Sequence, residues 1–492
     1  MDITTTSLAR VEAWRGKIFN GDWVDAQGGT LDVIEPGNGE SLYRVGQANA
    51  QDVASAVARA RAAQRAWAAT PPRERAAVFH RAAAILQEHA AAASALVARE
   101  TGGILPKGEH EVREAIVLLQ RAAAMPLQAN GQVLPSVPGR LSIARQLPLG
   151  VVGVISPFNF PLVLSLRSVA PALAVGNAVV LKPDPRTPYA GGFVIAEVLA
   201  AAGLPEGLLH VVPGGAEAEA GQALVEAPGV PMIAFTGSTG AGRRIGELAG
   251  RHLKKVSLEL GGKNSLIVLE DADLDLAVSA IAFGAYFHQG QICMATGRVL
   301  VQRSIAAELT RRLAEKARHL PVGDPATGQV ALGPIIDQRQ LQHVKDIVDA
   351  SVAAGAVVEA GGTHEGLFYA ATVLSNVTPG MRAFDEEVFG PVANIISFDS
   401  DDQAVELANA TEYGLSAGVI SASVGRAMAI GERLHTGLLH INDQTVADEV
   451  INPFGGTGAS GNGTSVGGPA DWEQYTHWQW VTIKDAVPQY PF

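Results

Sequence analysis

The sequence predicts an α/β protein built on a doubly wound parallel sheet, followed by a second α/β domain. Three observations carry that prediction. From Pro148 onward, short apolar runs alternate with stretches of helical periodicity. The runs lack polar alternation, which suits strands buried on both faces. Glycine, proline and asparagine gather directly after the runs, where strand-to-helix turns belong. Repeated βαβ units of this kind close into a parallel sheet.

Taken in order, residues 51–101 are rich in Ala and Arg, and Val53, Val57 and Ala60 fall at helical spacing. A second helix is expected to start after Thr70-Pro71-Pro72 and to stop at Thr101-Gly102-Gly103. This region reads as a helical layer over one face of the sheet. The first alternation comprises strand Val151–Ile155, helix Pro161–Val175, strand Ala178–Lys182, helix Pro188–Ala202 and strand Leu208–Val212. It continues with a helix near Ala216–Glu226, strand Met232–Thr236, a glycine-rich turn, a helix through Arg243–Ala249 and strand Val256–Leu260. The second alternation opens with strand Ser265–Leu269, helix Leu274–His288, strand Arg298–Val301 and helix Ile305–His319, and runs to about Asn442. The aromatic tail from Trp472 ends in the strand-like WVTIKD, whose exposed edge calls for a pairing partner such as another subunit.

Composition narrows the function classes. With 492 residues, 47% hydrophobic and 17% charged, the chain has material for two or three packed domains. A net charge of −12 argues against nucleic acid or an anionic membrane as a standing partner. One cysteine excludes an internal disulfide and points to a reducing compartment, and the N-terminus shows no apolar signal segment. The apolar stretch Leu147–Leu181 is broken by Pro157, Pro161, Arg167 and Pro171, which a membrane span would not tolerate together. The 12 histidines show no metal-binding spacing. A cytoplasmic enzyme without a metal is the expectation.

Doubly wound sheets bind ligands at the carboxyl ends of their strands. Cys293 sits in FHQGQICMATGR, beside Gly290, and is either a small buried hydrophobe or a thiolate nucleophile. Glu259 ends an apolar strand with Gly261 and Gly262 close behind, and is either one half of a salt bridge or a base with access to water. Asn159 is held between prolines in SPFNFP; it can cap a loop or donate to an oxyanion. The turn FTGSTGAGRRIG opens a helix and can present amides to a phosphate, although its glycines miss the dinucleotide fingerprint in register. Lys182 ends a buried strand, where an anionic partner or a snorkelling side chain would account for it.

Seven segments then fall into one pattern: PFNFP (157–161), PALAVGNAVVLKP (171–183), FTGSTGAG (235–242), LELGGK (258–263), GQIC (290–293), EEVFGPV (386–392) and PFGG (453–456). In this order they resemble the aldehyde dehydrogenase superfamily over nearly the whole chain. HQGQICM and KPDPRTP look most like its benzaldehyde and vanillin dehydrogenase branch. The resemblance implies NAD(P)-dependent oxidation of an aldehyde, aromatic by branch, to the acid. It makes Cys293 the nucleophile, Glu259 the base and Asn159 the oxyanion donor. It assigns coenzyme contacts to Ser156, Pro157, Phe158, Lys182, Gly215, Gly237, Ser238, Gly261, Glu387 and Phe389, and substrate contacts to Ile292 and Met294. Arg167 falls where the superfamily lines its substrate tunnel; it either selects aromatic rings or is a helix-surface arginine paired with an acid.

The resemblance further implies a dinucleotide-binding domain (1–124 and 148–260), a catalytic domain (261–455), and an oligomerisation flap with C-terminal tail (125–147 and 456–492), hence a homodimer or homotetramer. Two departures stand out. Pro185 occupies the place where NAD-preferring members carry a ribose-binding glutamate, which keeps NADP open beside NAD, with Arg186 nearby as a candidate phosphate partner. PFGGTGASG lacks the lysine usual after PFGG. Rival readings are a CoA-acylating aldehyde dehydrogenase, a catalytically silent protein of the same fold and, more weakly, a cysteine hydrolase.

Overall fold

The computed structural model describes residues 11–215 and 219–492. Its first sheet has seven strands in the order Lys255–Glu259, Met232–Thr236, Val151–Ile155, Ala178–Lys182, Leu209–Val211, Lys17–Asn20, Trp23–Asp25. The first five run parallel, and the two N-terminal strands add an antiparallel edge. That edge was illegible in sequence because KIFN and WVD are too short to show a period. Every position of Val151–Ile155 and Ala178–Lys182 is buried, and helices Ala50–Ala69 and Pro161–Ala174 both pack on these strands. Burial on both faces is why the runs are continuously apolar. From Val151–Ile155 the chain steps to Ala178–Lys182 on one side and later to Met232–Thr236 on the other. This reversal is a topological switch point, and it leaves a crevice beyond the strands' carboxyl ends.

The helical layer differs from expectation in one respect. The single helix predicted up to Thr101 is two helices, Pro72–Glu88 and Ala90–Thr101, broken at His89 (φ −104°, ψ 15°). Both segments pack along the helix Leu105–Ala124, which one straight rod could not do. Gly102, in the left-handed region (φ 66°), ends the second segment as the Gly-Gly pair implied. The helix expected near Ala216–Glu226 is Glu219–Glu226, its predicted start lying outside the described residues. The helix expected over Arg243–Ala249 begins earlier, at Thr239, because Ser238 caps it by accepting from the Ala241 amide.

A second seven-stranded sheet has the order Val357–Ala360, Thr372–Ser375, Val392–Phe398, Arg298–Gln302, Ser265–Val268, Ser416–Ile420, Leu438–Ile441. Here the largest correction concerns the helix predicted over Leu274–His288, which ends at Tyr286. His288 (φ 49°) and Gln289 (φ 58°) lie in the left-handed region, followed by Gly290 (φ 66°). Such residues cost about 1–3 kcal/mol each, so surrounding structure must impose them. Gln289 Nε2 donates to the carbonyls of Gly102 (3.0 Å) and Pro334 (2.9 Å), and a Cβ at position 290 would collide with the Gly390 carbonyl. Helical periodicity cannot report contacts so distant in sequence.

A three-stranded antiparallel sheet stands apart: Thr476–Ile483, Leu141–Pro148, Gly131–Val133. The C-terminal strand therefore finds its first partner within its own chain, in unbroken register from Thr476↔Pro148 to Ile483↔Leu141. Trp478, Trp480 and Ile483 nevertheless stay exposed. No helix among the described residues is long and apolar enough to cross a membrane.

Candidate active site

The strained turn delivers Cys293, and four elements fix the segment around it. Asn159 Nδ2 donates to the Gln291 carbonyl (3.0 Å), and the Gln291 side-chain oxygen accepts from the Ile336 amide (3.0 Å). Asn264 Nδ2 donates to the Cys293 carbonyl (2.8 Å), and Thr445 Oγ1 donates to that of Met294 (2.7 Å). The Cys293 side chain lines a narrow tunnel of about 60 Å³ together with Asn159, Arg167, Ile292 and Met294. Its walls are mainly apolar, with Phe160, Phe287 and Phe454 among them. Burial pushes the Cys293 thiol well up, and Glu259, Glu387 and Asp448 push the same way while Arg167 opposes them.

Arg167 is buried, so the helix-surface alternative is overturned. It does have an acid partner, however. Its Nη2 donates to both carboxylate oxygens of Asp448 (2.7 and 2.6 Å), and the guanidinium lies over the Phe454 ring, 4.5 Å from its centre. Phe454 already belonged to the quoted PFGG motif. Asp448 was missed, as nothing in ADEVINP marks one acid of the pair as buried.

Glu259 ends its strand as expected, but it does not line the tunnel. It borders a separate small cavity with Arg167, Leu164 and Phe454, which also line the tunnel. Its carboxylate is buried, and among the described residues neither oxygen has a hydrogen bond of good geometry. Burial raises its pKa well above the ordinary carboxylate range. Arg167 and the Gly456 amide oppose that shift, and Asp448 adds to it. The salt-bridge alternative for Glu259 is thereby excluded among the described residues.

The switch-point crevice opens as a cleft of about 520 Å³. Lys182 and Gly215 line it, between Ile155 and Phe235 from adjoining strand ends and Arg186 and Asp337 at the rim. Lys182 is buried rather than snorkelling, and its ammonium donates only to the Pro183 carbonyl (3.3 Å). Burial lowers its pKa, Asp184 working against that shift. The remaining residues of that set lie off the cleft wall. Ser238 caps the helix Thr239–Arg251. The Glu387 carboxylate accepts from the Gly262 amide (3.1 Å), and a Cβ at Gly261 would collide with it. Burial raises the Glu387 pKa to about 7. Phe389, at φ 51°, meets Phe158 edge-on at 5.9 Å. The Gly237 amide donates to the Glu259 carbonyl (2.9 Å). Pro157 follows half-buried in the same loop. Ser156 is turned inward, its hydroxyl accepting from Ser165 Oγ (2.7 Å). Arg186, the candidate phosphate partner, is engaged within the protein. Its Nε and Nη2 hold Asp184, its Nη1 holds Asp337 (2.7 Å), and it stacks on Phe158 at 4.1 Å.

The single cysteine on a narrow tunnel, together with the switch-point cleft, agrees with what the whole chain matches. Residues 23–481 match the model of the aldehyde dehydrogenase family. The chain belongs to that family. A vanillin dehydrogenase from an Amycolatopsis species is 55% identical, with 98% of this chain and 99% of that protein covered. A benzaldehyde dehydrogenase [NAD(+)] from Pseudomonas putida is 49% identical over 97% of this chain and 98% of its own. Among solved structures, betaine aldehyde dehydrogenase from Staphylococcus aureus in complex with NAD+ superposes with a TM-score of 0.95 at 29% identity, covering 100% of this chain and 99% of that one. The resemblance drawn from the seven motifs, including its benzaldehyde and vanillin branch, is thus borne out for the aldehyde dehydrogenase as a whole.

Proposed function

We propose that this aldehyde dehydrogenase oxidises an aromatic aldehyde to the carboxylic acid, with NAD as its coenzyme. One observation carries the reading: Cys293 and Asn159 line one narrow apolar tunnel. A flat aromatic ring suits such walls, and the vanillin and benzaldehyde dehydrogenases among the relatives support that substrate class. Ile292 and Met294 flank the ring, and the Arg167–Asp448 pair forms a polar patch for a ring substituent.

In this mechanism Cys293 reacts as its thiolate, the thiol proton having gone to solvent, and Sγ attacks the aldehyde carbon as the carbonyl π bond opens to an oxyanion. Asn159 spends one N–H on Gln291, which leaves the other to meet the oxyanion beside the Cys293 amide. NAD, held in the cleft by residues such as Lys182, would supply the hydride acceptor, so that the adduct on Cys293 would become a thioester. Glu259 then takes a proton from water as the water oxygen attacks the thioester carbon. The carbon–sulfur bond breaks, the acid leaves, and Glu259 returns its proton to solvent.

The cleft fits a dinucleotide. Buried Lys182 has no carboxylate partner within salt-bridge distance among the described residues, so it is open to a ribose hydroxyl. In this reading the amides of the Ser238 turn would meet the pyrophosphate, Glu387 would bind the second ribose and Phe389 would lie against the nicotinamide, although none of the three lines the cleft wall. A second reading, NADP, is favoured by Arg244 and Arg339, which line the same cleft and have no ion-pair partner among the described residues. A ready carboxylate at Glu259 supports hydrolysis over CoA acylation. We further assign the dinucleotide-binding domain to 1–124 and 148–260 and the catalytic domain to 261–455. Residues 125–147 and 456–492, with their exposed tryptophans, would then form the seam of a cytoplasmic homodimer or homotetramer.

Initial rates with benzaldehyde, vanillin and hexanal, each with NAD and with NADP, test the reading. Faster turnover of the two aromatic aldehydes, with free acid as product, is expected. A preference for hexanal would overturn the substrate class, and no reduction of either coenzyme would overturn the activity.

A further inference from the structure

Two buried groups of opposite charge border the same small cavity, each with hydrogen-bonding capacity left unused. The cavity of about 10 Å³ is bordered by both Arg167 and Glu259, room for about one water molecule. Arg167 spends Nη2 on Asp448, while its Nε is buried with no partner among the described residues. Both Glu259 oxygens are buried without a well-formed hydrogen bond. A buried carboxylate left so is costly unless a nearby charge compensates it. A guanidinium does not give up its proton in proteins, so the positive charge at Arg167 is permanent.

We propose that Arg167 is the positioning residue for Glu259: through one water in the shared cavity it supplies the counter-charge that keeps the base ionised and turned toward the tunnel. The proposal rests on the reading of Glu259 as base. Asp448 has a part in it, because by holding Nη2 it prevents a closed Arg167–Glu259 salt bridge that would leave the carboxylate unable to take a proton. Phe454 packs against the guanidinium and helps fix its position. The charged or titratable groups facing Glu259 are Arg167, Asp448 and the Cys293 thiol; beyond Cys293 stands Glu387, with Lys263 near it. Arg167 is the only permanent cation among them. It acts on Glu259 more strongly than Asp448 does, in the direction that favours the charged form.

The test is the pH profile of steady-state kcat with benzaldehyde, whose ring has no substituent to bond Arg167. Arg167→Leu is expected to move the acid limb up by about one pH unit, since an opposite charge at close range shifts a carboxylate by that order. Turnover near neutral pH then falls about tenfold and recovers at high pH, while the first burst of reduced coenzyme keeps its amplitude. Arg167→Lys should hold the limb near its original place, and Asp448→Asn should move it down. Should Arg167→Leu fail to fold, the double variant Arg167→Leu/Asp448→Leu leaves no stranded carboxylate and should still move the limb up. A limb that stays put in a folded variant, or a loss of kcat that is equal at all pH values, would overturn the proposal. Glu259→Gln separates the two readings. If it keeps steady turnover and the limb, the base assignment fails, and this inference with it. If it stops turnover while Arg167→Leu leaves the limb in place, only this inference fails.

Discussion

The cleft at the switch point and the tunnel at Cys293 manage their charges in different ways. In the cleft of about 520 Å³ the acids are neutralised within the protein, while Lys182, Arg244 and Arg339 have no carboxylate partner among the described residues. Arg186 alone holds Asp184 with two nitrogens and Asp337 with a third while stacking on Phe158. Around the tunnel of about 60 Å³ the important groups are left wanting. The Cys293 thiol is disfavoured as thiolate by burial, and the Glu259 carboxylate has no well-formed hydrogen bond among the described residues. A surface that must only bind an anionic ligand can pair off its acids and keep spare cations. Groups that must change their protonation during a reaction cannot be paired off, and the fold has to bear their desolvation.

Variants can break this contrast, the largest effects falling on the tunnel side. Cys293→Ala should lower aldehyde-dependent turnover by about 10⁴-fold or more, with coenzyme binding retained when followed by quenching of protein fluorescence. Glu259→Gln should cut steady turnover by about 10²–10⁴-fold and leave a single burst, resolved in a stopped-flow trace. Because burial favours the neutral acid at Glu259 and only the ionised form accepts a proton, wild-type kcat should fall with decreasing pH through a pKa above the ordinary carboxylate range. A profile flat down to pH 5 would contradict that assignment. Asn159→Ala should cost about 10²–10³-fold in kcat, the usual loss of one oxyanion donor. On the cleft side, Arg186→Ala should leave kcat nearly intact but raise the KM for coenzyme. It should also lower stability by roughly 2–3 kcal/mol, because Asp184 would be left without its partner; denaturant unfolding measures this.

Much of this was legible in the sequence. The strand Met232–Thr236 matched residue for residue, and Ala178–Lys182 did too, because runs buried on both faces leave an unmistakable apolar stretch. Cys293, Glu259 and Asn159 were found through their company along the chain, since each alone had an ordinary structural use. What escaped notice depended on contacts distant in sequence. The end of the helix at Tyr286 is enforced from Gly102, Pro334 and Gly390. Asp448 lies far along the chain from Arg167, and only folding joins them. In sequence Arg186 reads as a candidate phosphate partner; its bond to Asp184 is local, while its bond to Asp337 comes from far along the chain.

By itself the sequence determined the α/β alternation, the family and the three residues on which the proposed chemistry rests, since these follow from local periodicity and from motifs in fixed order. Tertiary structure alone decided which groups share a wall. It put Cys293 and Asn159 on one tunnel, set Glu259 behind Arg167 and Phe454 on a cavity of its own, and bound Arg186 into ion pairs. Burial and charge partnership are properties of space rather than of sequence order, and they set whether a carboxylate is a strut or a base.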